Sequence, residues 1–101
     1  MNNWLKEHKY ELINKAEDYD TYEKTMPCAW GLDDTMLFCL RVTHMRREKT
    51  YYAFIDVGSL HFTSKKHGSA KDAIDEVLVK LRISAESAIQ VAKKFAEEND
   101  K

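Results

Sequence analysis

The sequence predicts an α+β fold: a three-stranded antiparallel β-meander with an N-terminal helix and two C-terminal helices, the helices lying mainly on one face. Three observations predict it. Apolar residues near the N-terminus recur at three- and four-residue steps, the centre of the chain switches to alternation, and a second helical stripe starts after Gly68. At 101 residues, one domain over 1–101 is expected, because two would each fall below the size that buries a self-sufficient core.

The first element is a helix over about 4–19. Leu5, His8, Leu12, Ala16 and Tyr19 share one face, and Asn3 supplies an N-cap. The run Asp18-Tyr19-Asp20-Thr21-Tyr22 has lower helix propensity and frays its end. Pro27 cannot continue a helix, and Gly31 with Asp33-Asp34 reads as turn chemistry, so 23–34 is a connection. A strand follows over about 35–44, where Met36, Phe38, Leu40 and Val42 alternate with Leu37, Cys39, Arg41 and Thr43. The basic stretch from His44 to Lys49 is a hairpin loop.

The second strand covers about 50–57, with Tyr51, Ala53, Ile55 and Val57 on one face. Gly58-Ser59 turns the chain into a short third strand over about 60–64, begun by Leu60 and Phe62. Ser69 caps a helix over about 70–82, striped by Ala70, Ile74, Val77, Leu78 and Leu81. Ile83-Ser84 breaks it, and Ser84 caps a last helix over about 85–97. Its face of Ala85, Ala88, Ile89, Ala92, Phe95 and Ala96 suits close packing.

Apolar residues at 44% and charged residues at 33% exclude a disordered chain. No apolar run is long enough to span a bilayer, and Met1-Asn2-Asn3-Trp4-Leu5-Lys6 lacks the layout of a signal peptide. A cytoplasmic location is therefore expected, with Cys28 and Cys39 as free buried thiols and no membrane partner. The net charge of −1 conceals segregation: residues 1–40 carry −4, residues 41–82 carry +4 and residues 83–101 carry −1. Such a chain can present a basic patch despite its near-neutral total.

Catalysis needs a nucleophile, a base or a metal cluster. His8, His44, His61 and His67 fall on separate elements without metal-ligand spacing. Asp33, Asp34 and Asp56 could meet around a magnesium ion, yet a turn before a strand and a solvated strand residue explain them as well. The expectation is no enzyme, no metal and no small-molecule cofactor.

Anion binding has more support. The stretch Thr63-Ser64-Lys65-Lys66-His67-Gly68-Ser69-Ala70-Lys71 runs from a strand into a helix N-terminus, where free N–H groups and the helix dipole attract anions. Lys65, Lys66 and Lys71 add cations, and Ser64 adds a hydroxyl donor. Arg46, Arg47 and Lys49 in the hairpin loop form a second basic cluster whose arginines suit phosphates. A solvated turn and a soluble hairpin account for the same residues equally well.

Here the chain resembles the double-stranded-RNA-binding domain. The helix–three strands–helix order, Tyr52-Ala53-Phe54-Ile55-Asp56-Val57-Gly58, and the run Ser64-Lys65-Lys66 followed by Ala70-Lys71 are similar to that family's second strand and Ser-Lys-Lys-x-Ala-Lys signature, with two extra residues within His67-Gly68-Ser69. The resemblance implies that Lys65, Lys66 and Lys71 contact phosphates flanking a groove, with recognition by A-form shape. The three strands and following helix are also similar to sheet-reading plant DNA-binding domains, in which Arg41, Thr43, Tyr52 and Phe54 would point outward.

The reading that follows is a small non-catalytic protein binding the phosphate backbone of double-stranded nucleic acid through Lys65, Lys66, Lys71 and Ser64, helped by Arg46, Arg47 and Lys49. The alternative is a regulatory or inhibitory protein docking on a larger protein through aromatic surface residues. Eleven aromatic residues cannot all be central in so small a core, and Trp and Tyr are favoured interface anchors.

Overall fold

The computed structural model describes residues 3–27, 37–57 and 60–100. The elements are α1 (Asn3–Glu7), β1 (Glu11–Lys15), β2 (Tyr19–Pro27), β3 (Leu37–Met45), β4 (Thr50–Val57), β5 (Leu60–Thr63) and α2 (Ala70–Asn99). The strands form one five-stranded antiparallel sheet in the order β1-β2-β3-β4-β5. The α+β class stands, but the three-stranded meander with two C-terminal helices is corrected to five strands and one long helix. The turn residues Gly31, Asp33, Asp34, Gly58 and Ser59, together with Cys28, Trp30 and Met36, lie outside the described residues.

The helix expected over 4–19 is instead a five-residue helix followed by a hairpin. Lys9 takes a φ of 70°. Around it, the Lys9 N–H donates to the Lys6 carbonyl at 3.1 Å and the Tyr10 N–H donates to the Leu5 carbonyl at 2.9 Å. This pair of bonds is the Schellman arrangement that closes a helix, and its left-handed position usually holds glycine. Tyr10 and Leu5 are both buried, supplying the apolar contact that accompanies such caps. Past it, Tyr19, Thr21, Tyr22 and Thr25 favour a pleated surface, and β2 pairs along its whole length with β3.

The second correction concerns the C-terminus. Ile83-Ser84 does not interrupt α2, which runs unbroken for 30 residues. Neither residue lacks an amide hydrogen or carries glycine's entropic cost, so nothing local stops the helix. Ser69 caps its start, its hydroxyl accepting from the Asp72 N–H at 3.2 Å.

The core lies on one face of the sheet. The register sets Tyr22 beside Val42 and Ala53, and Leu40 beside Ile55. All five are buried, as are Leu5 and Tyr10 from the N-terminal segment and Ala70, Ala73, Ile74, Val77 and Leu81 from α2. The opposite face carries Thr21, Glu23, Arg41, Thr43, Tyr52 and Phe54 in register. Cys39, which is free and half-buried, sits there with its thiol 3.5 Å from the Glu23 carboxylate. Burial and that carboxylate push the Cys39 pKa up, so its thiolate is disfavoured.

Beyond Leu81 no described residue of α2 is buried. The helix leaves the sheet and continues into solvent, giving the molecule extents of 59 × 26 × 21 Å. No helix among the described residues is long and apolar enough to cross a membrane.

Candidate functional site

The basic residues singled out in the sequence gather along one rim, where the β3–β4 turn meets the segment entering α2. Two backbone bonds of 2.7 Å between Tyr51 and His67 tie these regions together. The Lys66 ammonium reaches the Glu48 carboxylate at 2.8 Å across the same junction. Lys49 adopts a φ of 56° at the end of the turn. Arg46, Arg47 and Lys49 thus lie on or beside the turn to which the Lys65–Lys66 segment is tied, with Lys71 in the first turn of α2.

Each cation's partner decides what the rim can do. Arg46 is a brace: its guanidinium donates to the Asp20 carboxylate, to the Ala16 carbonyl at 2.6 Å and to the Glu17 carbonyl. It thereby holds the β1–β2 turn against the β3–β4 turn, and Asp20 is only 9% exposed. Arg47 pairs with Asp18 at 2.9 Å and Lys71 with Asp75 at 2.8 Å. Ser64 is buried; the Ala53 N–H donates to its hydroxyl at 2.8 Å, and the hydroxyl donates to the Lys65 carbonyl at 2.7 Å. Its oxygen completes the edge of β4 and is turned away from solvent. Among the described residues, the Lys49 and Lys65 ammonium groups have no carboxylate within ion-pair distance. The rim is a mixed surface of cations and the carboxylates Asp18, Glu48, Asp75 and Glu76.

Glu76 organises the segment before α2. It accepts from the Lys65 N–H at 3.2 Å and from the His67 ring Nε2–H at 2.8 Å, and its other oxygen lies 2.8 Å from the Lys80 ammonium. Lys80 also donates to the Thr63 carbonyl at 2.9 Å. Hydrogen bonds from Lys80 and His67 hold the Glu76 carboxyl down at about 2. A carboxyl whose folded pKa is depressed stabilises the fold above its unfolded value near 4.5 and loses that contribution as pH falls towards 2. Urea midpoints measured across that interval should therefore drop more steeply for the native chain than for Glu76→Gln. Equal slopes would show that the carboxylate is not held by these partners.

Asp75 and Glu76 were legible as partners, because Lys71–Asp75 and Glu76–Lys80 have the four-residue spacing of helical ion pairs. The Lys66–Glu48 pair was not, since it depends on the register of β4 against the segment at His67. For the magnesium alternative, Asp33 and Asp34 lie outside the described residues, and Asp56 pairs with His61 at 3.1 Å on the outer face. No three His, Cys, Asp or Glu side chains gather as a metal site among the described residues. Arg41, Thr43, Tyr52 and Phe54 do share that outer face, but Arg41 is held by Glu23 at 2.7 Å and Phe54 stacks on His61 with centroids 6.0 Å apart.

A second surface was not anticipated as exposed. Where α2 leaves the sheet, Leu78, Leu81, Arg82, Ala85, Glu86 and Ile89 line a shallow apolar groove of about 350 Å³. Further out, Ile89 is 54% exposed and Phe95 66% exposed. None of the small-residue face read as suited to close packing is buried among the described residues, and Ala85 alone of it is half-buried. No family model, curated protein or solved structure matches this chain.

Proposed function

We propose that this chain is a non-catalytic binding protein that docks on protein through the apolar face of the projecting part of α2. One observation supports it above the others: residues 82–99 continue the helical face that carries Ile74, Val77 and Leu81 into the core, yet none of them is buried. A helix of this kind usually owes its order to the burial of an apolar face rather than to propensity. Contiguous exposed apolar surface is the common mark of an interaction site. Docking is thus moved from the surface aromatics of the sheet to Phe95 and its helical neighbours.

The duplex-binding reading keeps one supporting observation, the gathering of Lys49, Lys65 and Lys66 at the Tyr51–His67 junction. Phosphates would have to displace Glu48 from Lys66 and Asp75 from Lys71. Exposed pairs contribute only about 0–1 kcal/mol, so displacement is affordable, but the carboxylates stay nearby and repel the same phosphates.

Photoreactive residues placed singly at Phe95, Gln90 and Lys66 test both readings in native extract. Docking through the apolar face expects protein adducts from Phe95 and few from Gln90, which lies on the opposite side of the helix. Equal yields from the two positions would sink it. Nuclease-sensitive adducts confined to Lys66 would transfer the function to the rim.

A further inference from the structure

We infer that the tip of α2 seats on the sheet of a second copy of this chain, in an open groove beside that copy's own helix, and that the two copies exchange tips in this way. The inference rests on the docking reading above and names its partner.

The tip carries a sheet-packing face. Ala70, Ala73, Ile74 and Val77 are the buried residues that open α2. Ala88, Val91, Ala92 and Phe95 follow them at an interval of eighteen residues, about five full turns and 27 Å of rise. The two sets therefore point the same way. The second repeats the spacing and apolar character of the first, yet none of its members is buried.

The sheet holds a matching open place. α2 lies over β4 and touches β3 and β5 on either side, which leaves the Lys24–Met26 stretch of β2 open on the core face. Tyr22, Lys24 and Met26 share that face by alternation, and Met26 is 52% exposed although Tyr22 is buried. Tyr10, Lys24, Met26, Phe38, Ile74 and Leu78 line a groove of about 240 Å³ there. A cavity of roughly 150 Å³ holds a benzene ring, so this one takes a phenylalanine side chain. Phe95 of the same copy cannot reach it, because it stands seventeen residues beyond Leu78, about 26 Å along the helix.

One symmetric arrangement fills both grooves. α2 leaves the sheet at the end where Met26 and Phe38 stand. A twofold axis normal to the sheet, level with Glu86 and Ser87, runs the two helices antiparallel, each on the β2 side of the other. Phe95 of each copy then comes level with Leu78 of the other, over the groove. Ala85 and Ala88 come level where the helices pass, and their small side chains permit close approach. The two Glu86 residues near the axis each keep their own Arg82 at 3.8 Å. Glu98, on the flank of the tip turned away from the partner helix, comes down beside Lys24, whose ammonium lies over the Tyr10 ring at the groove. Opposite charges therefore meet twice across the dimer.

Sedimentation equilibrium on the purified chain over a wide concentration range tests the exchange. A reversible monomer–dimer equilibrium is expected. Phe95→Ala should weaken it by on the order of a hundredfold. Met26→Asp, at an exposed position on the other surface, should weaken it to a similar degree, while circular dichroism confirms an intact sheet. Lys24→Glu should weaken it roughly fivefold, and adding Glu98→Lys should restore it. In the pure chain, the photoreactive residue at Phe95 should crosslink to the Lys24–Met26 stretch of a second copy.

A chain that stays monomeric, a dimer indifferent to Met26→Asp, or self-adducts from Phe95 that fall on α2 alone would overturn the exchange. If Phe95 adducts to another protein in native extract persist in those cases, docking survives with a different partner. If they are absent too, both readings fall.

Discussion

Ile55→Ala is expected to cost about 3–4 kcal/mol, the largest single loss of stability in this fold. Ile55 is fully buried on β4, paired in register with Leu40 on one side and Phe62 on the other, and it faces the buried positions of α2. Truncation removes apolar contacts on all three sides, and a sheet tied on both edges cannot collapse to refill the space. A domain of this size has on the order of 5–10 kcal/mol in total, so the variant should retain about half its stability. In urea the midpoint should fall while the slope stays constant. Ile89→Ala on the same chain should move the midpoint hardly at all, because Ile89 is 54% exposed and lies outside the buried core cluster of the described residues. A loss below about 1 kcal/mol for Ile55 would mean that α2 does not cover β4 as described.

The contrast between these two isoleucines shows where sequence reading worked and where it stopped. Alternation over 50–57 marks β4, and the stripe from Ala70 to Leu81 with Ser69 before it marks the start of α2. In both cases local pattern and tertiary burial agree. The N-terminal hairpin was hidden because Leu5, His8, Leu12, Ala16 and Tyr19 satisfy a helical spacing by coincidence, and because the residue that ends α1 is Lys9 rather than glycine. The unbroken run of α2 was hidden for the opposite reason: a serine that can cap a helix can also sit inside one. Ile55 and Ile89 both occupy an apolar position of a periodic pattern. Periodicity shows that a face exists, and only the length of the sheet beneath it shows whether that face is covered.

Arg46 and Arg47 were indistinguishable as neighbouring cations in a hairpin loop, and they should behave very differently when removed. Arg46→Ala is expected to cost about 2 kcal/mol, below the roughly 3–5 kcal/mol for breaking a fully buried ion pair, because the arginine itself is partly solvated. Its loss strands Asp20 in a nearly closed site and leaves the Ala16 and Glu17 carbonyls without that donor. Arg47→Ala should stay within about 0.5 kcal/mol of the native chain, since the Arg47 side chain is itself largely solvated. Asp20→Asn separates the two contributions to the Arg46 effect. If Asp20 left unpaired is the main penalty, adding Asp20→Asn to Arg46→Ala should recover much of the loss. If the carbonyl contacts dominate, the double variant should remain as unstable as Arg46→Ala alone. Either result makes Arg46 a poor probe of ligand binding, because any binding defect it causes would be confounded with a loosened hairpin. Lys65 and Lys49, whose ammonium groups have no carboxylate partner among the described residues, are the residues whose removal reports on the rim without disturbing the fold.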